Sequence, residues 1–524
     1  MKKKNIVLLV IDSLRISDIS SLGLNNRDLT PNIDYLIKNS LVFKNTIANS
    51  PWTLPSHTNF FTGLYTSEHR VIGQNDRLDP KIPCVTQILK DLGYFTICLT
   101  QNPFISKVFG LTRGFDIYME DFEDNFVQNQ FLAKNSLSFL QILNKLNNSL
   151  PVLSSSLMTL FDKFTMFFSK IETQIKKRSA NLESYIKENS INDIEKLEPI
   201  LNRIKDNKPF YLFINLMDTH YPYMPPMEYL KKFNITNNDF RIVHDFYLNP
   251  SEMIIKINSG IKTFKEIEKK TLKKFYSAAV NYVDYVIGKF TNILENLENF
   301  KSKDTIFILI SDHGEHLGYK DLWTHHYSVY QELLKVPVII YNKDLFERKI
   351  ISQEVELKNL FHTIISLALN NENKKNRNLL FQYDEKLSYL YQLDKKSFPD
   401  FIYGEYLFPI VFLNLIKRIT NKAPKKKYFG NIRFLKNKQY KFLSFEKGLD
   451  ELYYIQSDPN EKNNIIDNKH EITNSMKEKI NSINNRFKEK KTVKFIMIQY
   501  EKRIIKKAID KIIKKSLIRF FSRS

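Results

Sequence analysis

TIFILISDHGEH, at residues 305–316, is a continuous apolar run that closes on an acid and a histidine, Asp312 and His313. The same design recurs far away in the chain. NIVLLVID at residues 5–12 closes on Asp12, and FYLFINLMDTH at residues 210–220 closes on Asp218 and His220. An uninterrupted Val/Ile/Leu/Phe run reads as a strand covered on both faces, the mark of a parallel sheet sandwiched by helices. In such sheets ligands sit beyond the carboxyl ends of the strands, so acids and imidazoles placed there on three strands can converge on one point. Hard oxygen ligands with one or two nitrogens suit a divalent cation. For any one of these acids taken alone, capping of the following helix is the alternative.

Outward from these runs, residues 1 to about 120 alternate strand and helix signals in an α/β rhythm. From about 124 to 205 the pattern turns largely helical, which reads as an insertion over the sheet. The rhythm returns at residue 210 and continues through VPVIIY at 336–341. This makes 1–375 one catalytic-size unit. A smaller α+β unit follows at 376–485, with strand-like FIYGEY, NIRFLKNKQYKFLSF and ELYYI. Residues 486–524 form a tail in which Ile504, Ile505, Ala508, Ile509, Ile512, Ile513, Leu517 and Phe521 return at helical spacing among lysines and arginines. Such a basic amphipathic helix either lies on an anionic membrane surface or docks on the folded body.

With 79 Lys+Arg against 57 Asp+Glu, the net charge is +22 over 524 residues, which favours acidic partners. No nucleic-acid-binding motif accompanies the charge, so nucleic acid is not expected. Two cysteines, Cys84 and Cys98, exclude a disulfide framework or a cysteine-rich metal site. The apolar stretch after MKKK ends at Asp12 and has no cleavage signal, and no run reaches the roughly 18 apolar residues of a membrane span. The expectation is a cytoplasmic protein, with the tail permitting peripheral contact at the inner membrane face.

In SPWTLPSHTNFFTG, residues 50–63, Pro55 suits the first turn of a helix and places Thr53 at or next to its N-cap, beside free backbone N–H groups. A hydroxyl there, next to a metal, is set to attack a phosphorus or sulfur centre. A purely capping role is the alternative.

These motifs occur in the order NIVLLVIDSLR, TPNIDYLIKNSLVFKNTIANSPWTLPSHTNFFTGLYTSEH, LTRGFD, MDTHYPY, YVDYVIG, SDHGEHLGYKDLWTHHYSVYQELLKVPVIIY and ELYYIQSDPNEKNN. In this order the chain resembles the sulfatase family of the alkaline phosphatase superfamily. The resemblance implies an alkaline-phosphatase-like α/β/α sandwich on a mixed, mainly parallel sheet, with a small C-terminal antiparallel subdomain. It also implies metal-assisted attack on a sulfate, phosphate or phosphonate ester through a covalent enzyme intermediate. Asp12, Asp312 and His313 match the family's metal ligands, and Thr53 occupies its nucleophile slot. His220 matches a histidine that contacts the ester group, and His325 falls where relatives carry a lysine or histidine facing the leaving group. Asp218, His57 and His326 are candidates for a second metal or for substrate contact, and His316 ranks with them below His325.

The departures from the family pattern bear on the chemistry. Sulfatases convert Cys or Ser in the nucleophile slot to formylglycine; Thr53, with its extra methyl, cannot give that aldehyde by the same oxidation, and superfamily members with threonine there use the hydroxyl on phosphodiesters. The family's second acid after the first strand is Ser13 here, the late pair is Asp-His, and His57 replaces the signature arginine. Fewer carboxylates and more imidazole favour zinc or manganese over calcium or magnesium. The expected function is a metal-dependent ester hydrolase or transferase, with phosphoesters slightly preferred to sulfate esters, on a small-molecule, surface-glycan or lipid-linked anionic substrate. A sulfuric ester hydrolase proper, and a non-catalytic anion- or glycan-binding protein, are the alternatives.

Overall fold

The computed structural model describes residues 3–23, 28–120, 182, 189–204, 208–248, 250–297, 302–342, 344–369, 383–409, 416, 419 and 428–487. Its centre is β1 (Asn5–Ile11), which pairs in parallel with β5 (Phe210–Leu216) on one side and β6 (Thr305–Ser311) on the other. Six of the seven residues of β1 are buried. The side chains alternate between two apolar clusters: Ile6, Leu8 and Val10 point into one, Val7, Leu9 and Ile11 into the other. This is why the run is continuous rather than alternating, because each face has its own helical cover. Fully burying each such side chain stabilises the fold by about 1.5–3 kcal/mol.

Outward from the centre, β5 pairs with β3 (Phe95–Thr100), which pairs with β4 (Ile117–Glu120). On the other side β6 pairs with β9 (Lys335–Tyr341), then β2 (Ser40–Ile47), with the short β10 (Lys349–Ile351) and β11 (Val355–Glu356) on its outer edge. Both β9 pairings are antiparallel and every other pairing in the sheet is parallel. The carboxyl ends of β1, β2, β3, β5 and β6 therefore share one edge. A two-stranded ribbon, β7 (His316–Leu317) with β8 (Trp323–Thr324), lies just beyond β6.

One face is covered by the long helix Glu266–Asn296, whose Leu272, Phe275, Tyr276, Ala279, Val280, Val283 and Ile287 join the cluster of Val7 and Leu9. It also completes α1 (Pro31–Ile37): Asp284 accepts the N–H groups of Asn32 and Ile33, at 3.1 and 2.8 Å, which that helix start leaves unpaired. The other face packs α2 (Thr53–Thr62), through Leu54, Phe60 and Phe61, with the helix Leu360–Leu369.

A second, antiparallel sheet follows: β12 (Ile402–Tyr406), β13 (Ile432–Lys436), β14 (Tyr440–Phe445) and β15 (Glu451–Tyr454). Of the insertion expected at about 124–205, only residue 182 and 189–204 are described, including the short helices Asn189–Glu195 and Glu198–Leu201; the basic tail from residue 488 lies outside the described residues. Among the described residues no helix is long and apolar enough to cross a membrane.

Candidate active site

Asp12 leaves β1 at the shared edge, with Ser13 in the left-handed region (φ 64°) turning the chain back on itself. This turn presents the Ser13 N–H to Asp312 Oδ1 at 3.2 Å, while the Ser13 hydroxyl donates to Asp12 Oδ1 at 2.9 Å. The His313 N–H also reaches Asp312 Oδ1, at 2.9 Å. Gly314 follows, and a Cβ there would lie 2.1 Å from the carbonyl oxygen of Glu332, so only glycine lets the chain leave β6 against that segment.

α2 begins at Thr53 and is preceded by Trp52 in an extended conformation. Thr53 Oγ1 lies 3.3 Å from Asp12 Oδ2 and 3.2 Å from His313 Nε2, and is almost completely buried. One ligand atom each from Asp12, Asp312 and His313 gathers within 4.8 Å, and all three side chains are fully buried. Nδ1 of His313 is 2.8 Å from the carbonyl of Gly314, so Nδ1–H donates there and Nε2 keeps its lone pair, 3.3 Å from Asp312 Oδ2 and 3.7 Å from Asp12 Oδ1. Asp312 Oδ2 is buried and accepts no hydrogen bond. Two enclosed carboxylates, a neutral imidazole and an idle carboxylate oxygen fit a divalent cation, whose charge would satisfy what the protein leaves unpaired.

The electrostatics agree with that fit. Burial, then the neighbouring Asp12, pushes Asp312 well above the usual carboxylate range. Burial acts on Asp12 too, but His220, His313 and His57 outweigh it and hold Asp12 below its ordinary value. Burial brings His313 and His57 down to about 4, so both are neutral at neutral pH.

Asn102, just past β3, was not singled out from the sequence. Its amide donates to Asp12 Oδ2 at 2.8 Å and it is 1% exposed, so it orients the metal-facing acid. The only trace of it in the sequence is the second of two amides, Gln101 and Asn102, that follow an apolar strand.

A row of rings continues from the trio. His325 lies 4.5 Å from His313, 4.9 Å from His220 and 4.6 Å from His326 between ring centroids, and His326 packs on Trp52 at 4.8 Å. Glu315 Oε2 meets His325 Nδ1 at 3.2 Å. Burial and then Asp12 raise Glu315 well above the ordinary range, while burial and the surrounding imidazoles lower His325.

Of the other candidates His57 borders the trio, its Nδ1 3.4 Å from Asp312 Oδ2, while His316 and Asp218 are held by other partners. His57 turns its Nδ1 to the carbonyl of Thr53 (3.0 Å) and its ring toward Phe60, Phe61 and Phe213, beneath the trio. His316 bonds Ser328 at 2.7 Å. Asp218 accepts from Ser190 at 2.8 Å, and burial raises it to about 6. Among the described residues, Asp218, His57 and His326 form no second metal-ligand group with other acids or histidines.

An alkaline-phosphatase-like sandwich with a buried Asp/Asp/His cluster beside a helix-terminal hydroxyl defines a class of ester hydrolases. A family model described as Sulfatase matches residues 4–370, and the chain belongs to the sulfatase family of the alkaline phosphatase superfamily. An arylsulfatase of Clostridium perfringens is 22% identical over 88% of this chain and 90% of its own length. The phosphonate monoester hydrolase of Agrobacterium radiobacter superposes with a TM-score of 0.61 at 15% identity, over 93% of this chain and 96% of its own. A structure solved in complex with its substrate D-glucosamine-2-N,6-O-disulfate superposes with a TM-score of 0.62 at 15% identity, over 93% and 99%. Family membership makes the chain an ester hydrolase; the family's enzymes are metal-dependent, and Asp12, Asp312 and His313 form a fitting site.

Proposed function

We propose that this chain cleaves anionic phosphoesters, diesters or phosphonate esters first, through direct attack by Thr53. The observation that carries the reading is the placement of Thr53 Oγ1, 3.3 Å from Asp12 and 3.2 Å from His313, at the N-terminus of α2. Threonine cannot take the family's aldehyde route by oxidation, so its hydroxyl must act as it stands. A divalent cation, zinc or manganese by the donor set, would be held by Asp12, Asp312 and His313 and would supply positive charge to the non-bridging oxygens and acidify a nearby hydroxyl.

Thr53 releases its hydroxyl proton to solvent and forms the bond to phosphorus while the bond to the alcohol breaks; water or an acceptor alcohol, losing its own proton, then displaces Thr53, which takes a proton back. The first N–H groups of α2 face the anion. His220 contacts its oxygens. Glu315 holds His325 through Nδ1 so that Nε2 faces the departing oxygen; as that oxygen takes the Nε2 proton, the Glu315 carboxyl passes its own proton to Nδ1, and the imidazole stays neutral. The disulfated glucosamine bound by the structural neighbour supports an anionic glycan ester as the substrate class, with lipid-linked esters of the same chemistry beside it.

Sulfate-ester hydrolysis is the second reading, favoured by the arylsulfatase relative that spans most of the chain. One experiment separates them: determine the bound metal, then compare hydrolysis of aryl phosphodiester, phosphomonoester and sulfate by the wild type and Thr53→Ala. Phosphoester turnover with zinc or manganese that vanishes in the variant supports the first reading. Sulfate turnover that survives the substitution sinks it and points to another nucleophile.

A further inference from the structure

His325 and His326 ride on a backbone that ordinary side chains avoid. Thr324 (φ 60°), His326 (φ 76°) and Tyr327 (φ 62°) all occupy the left-handed region, which non-glycine residues keep only where the surroundings hold them there. The upstream end of this loop is held by the β7–β8 ribbon, where Thr324 pairs with His316. The downstream end is held from the second sheet. Lys441, on β14, donates its Nζ to the carbonyl of Val329 at 2.7 Å and pairs with Glu461 Oε1 at 2.6 Å. Glu461 Oε2 accepts the N–H of Gln331 at 2.7 Å, and the Tyr330 hydroxyl donates to Glu451 Oε2 at 2.8 Å.

The exposure of Lys441 and Glu461 is 0% and 1%, and neither reaches the trio or Thr53. A buried ion pair is a weak source of stability, because desolvation offsets the attraction. What this one adds is a pair of bonds to backbone groups two residues apart, the Val329 carbonyl and the Gln331 N–H, from residues more than a hundred positions away.

We propose that Lys441 and Glu461 are positioning residues for His325: the second sheet holds the strained loop in the conformation that sets this imidazole beside His313 and His220. The proposal rests on the reading of His325 as the group that serves the departing oxygen. Without the anchor, the loop relaxes toward ordinary φ values and the ring leaves its place. Esters with poor leaving groups then slow, while attack by Thr53 and departure of good leaving groups do not.

The test uses the full chain and the 4-nitrophenyl and phenyl esters of whichever core, phosphodiester or sulfate, the wild type turns over. Lys441→Met/Glu461→Met removes both charges and both backbone bonds at similar volume. The expected result is wild-type metal content and a rise of about 10- to 100-fold in the 4-nitrophenyl to phenyl ratio of kcat/KM, matching His325→Ala. A wild-type ratio in the double variant, with His325→Ala still shifted, overturns the proposal and leaves the reading of His325 standing. A wild-type ratio in His325→Ala itself removes that reading and the proposal together. Leu452→Ala, a core truncation in the same sheet, controls for general loosening: it lowers Tm and keeps the ratio, and an equal shift there overturns the proposal. Should the double variant not fold, Glu461→Gln keeps the volume and one acceptor; a rise of about tenfold supports the anchor, and no rise overturns it.

Discussion

Asp12, Asp312 and His313 stand at the ends of two central strands paired residue by residue, whereas His325 and His326 stand on a loop with three left-handed residues. The first wall needs nothing beyond the sheet: parallel pairing puts both strand ends at one level, and backbone N–H groups of Ser13 and His313 fix the carboxylate of Asp312. The second wall has no such frame and borrows one, from Glu315 behind it and from the second sheet below. Groups that must hold a cation come from the rigid edge; groups that must meet a leaving alcohol come from the part that can be reshaped without unfolding the core.

If that division is real, the two walls respond to mutation in different ways. The largest effect is expected at the sheet edge. Asp312→Asn removes a ligand charge, so bound metal is lost and turnover falls by at least about 10³-fold for good and poor leaving groups alike. Metal analysis with steady-state kinetics checks this, and retention of stoichiometric metal at wild-type affinity would break the assignment. Chelation should reproduce the loss and lower Tm, since metal binds the folded state alone.

On the loop, His325→Ala should cost about 10²-fold on phenyl esters, but less than about tenfold on 4-nitrophenyl esters, with metal retained. A uniform loss across leaving groups would place His325 with the cation wall instead. Smaller again is Asn102→Ala, which strips one donor from Asp12. The expected outcome is a 10- to 100-fold drop in metal affinity, visible in competition with a chelator, and near-normal turnover at saturating metal.

How far such distinctions can be read from the chain follows from their physics. A run buried on both faces and closing on an acid is a local pattern, so Asp12, Asp312 and His313, and the parallel sheet they imply, are visible in three short stretches. Which way a side chain turns after a strand end is not local. Asn102 is invisible because one amide past β3 looks like any loop residue; only the β3–β5–β1 pairing carries it to Asp12. His57 lies one turn from Thr53, and the sequence does not show that this spacing brings its Nδ1 both to the Thr53 carbonyl and within 3.4 Å of Asp312 Oδ2, with the rest of the ring packed among phenylalanines. The anchoring of the histidine loop by Lys441 and Glu461 is a contact between two sheets, and no spacing announces it.

Asp218 sharpens the comparison most finely, because it closes a strand of the same sheet at the same edge and still stands apart from both walls. Ser190 takes its carboxylate, and burial raises it from 3.8 to about 6. The folded chain therefore keeps a proton there up to about pH 6 that the unfolded chain releases near pH 4. Between those values the folded state binds more protons, so stability falls as pH rises and stays lower above the window. A rise from 3.8 to about 6 corresponds to about 3 kcal/mol at most, and the side chain is only half-buried, so about 1–2 kcal/mol is expected. Asp218→Asn keeps an acceptor for Ser190 and has no proton to lose. In urea titrations its stability relative to wild type should be greater at pH 8 than at pH 4 by that amount, with the other buried acids cancelling in the difference. Metal content should not change. An equal difference at both pH values would mean that Asp218 is solvated like a surface carboxylate, and loss of metal in the variant would return it to the cation wall, where its position at a strand end first seemed to put it.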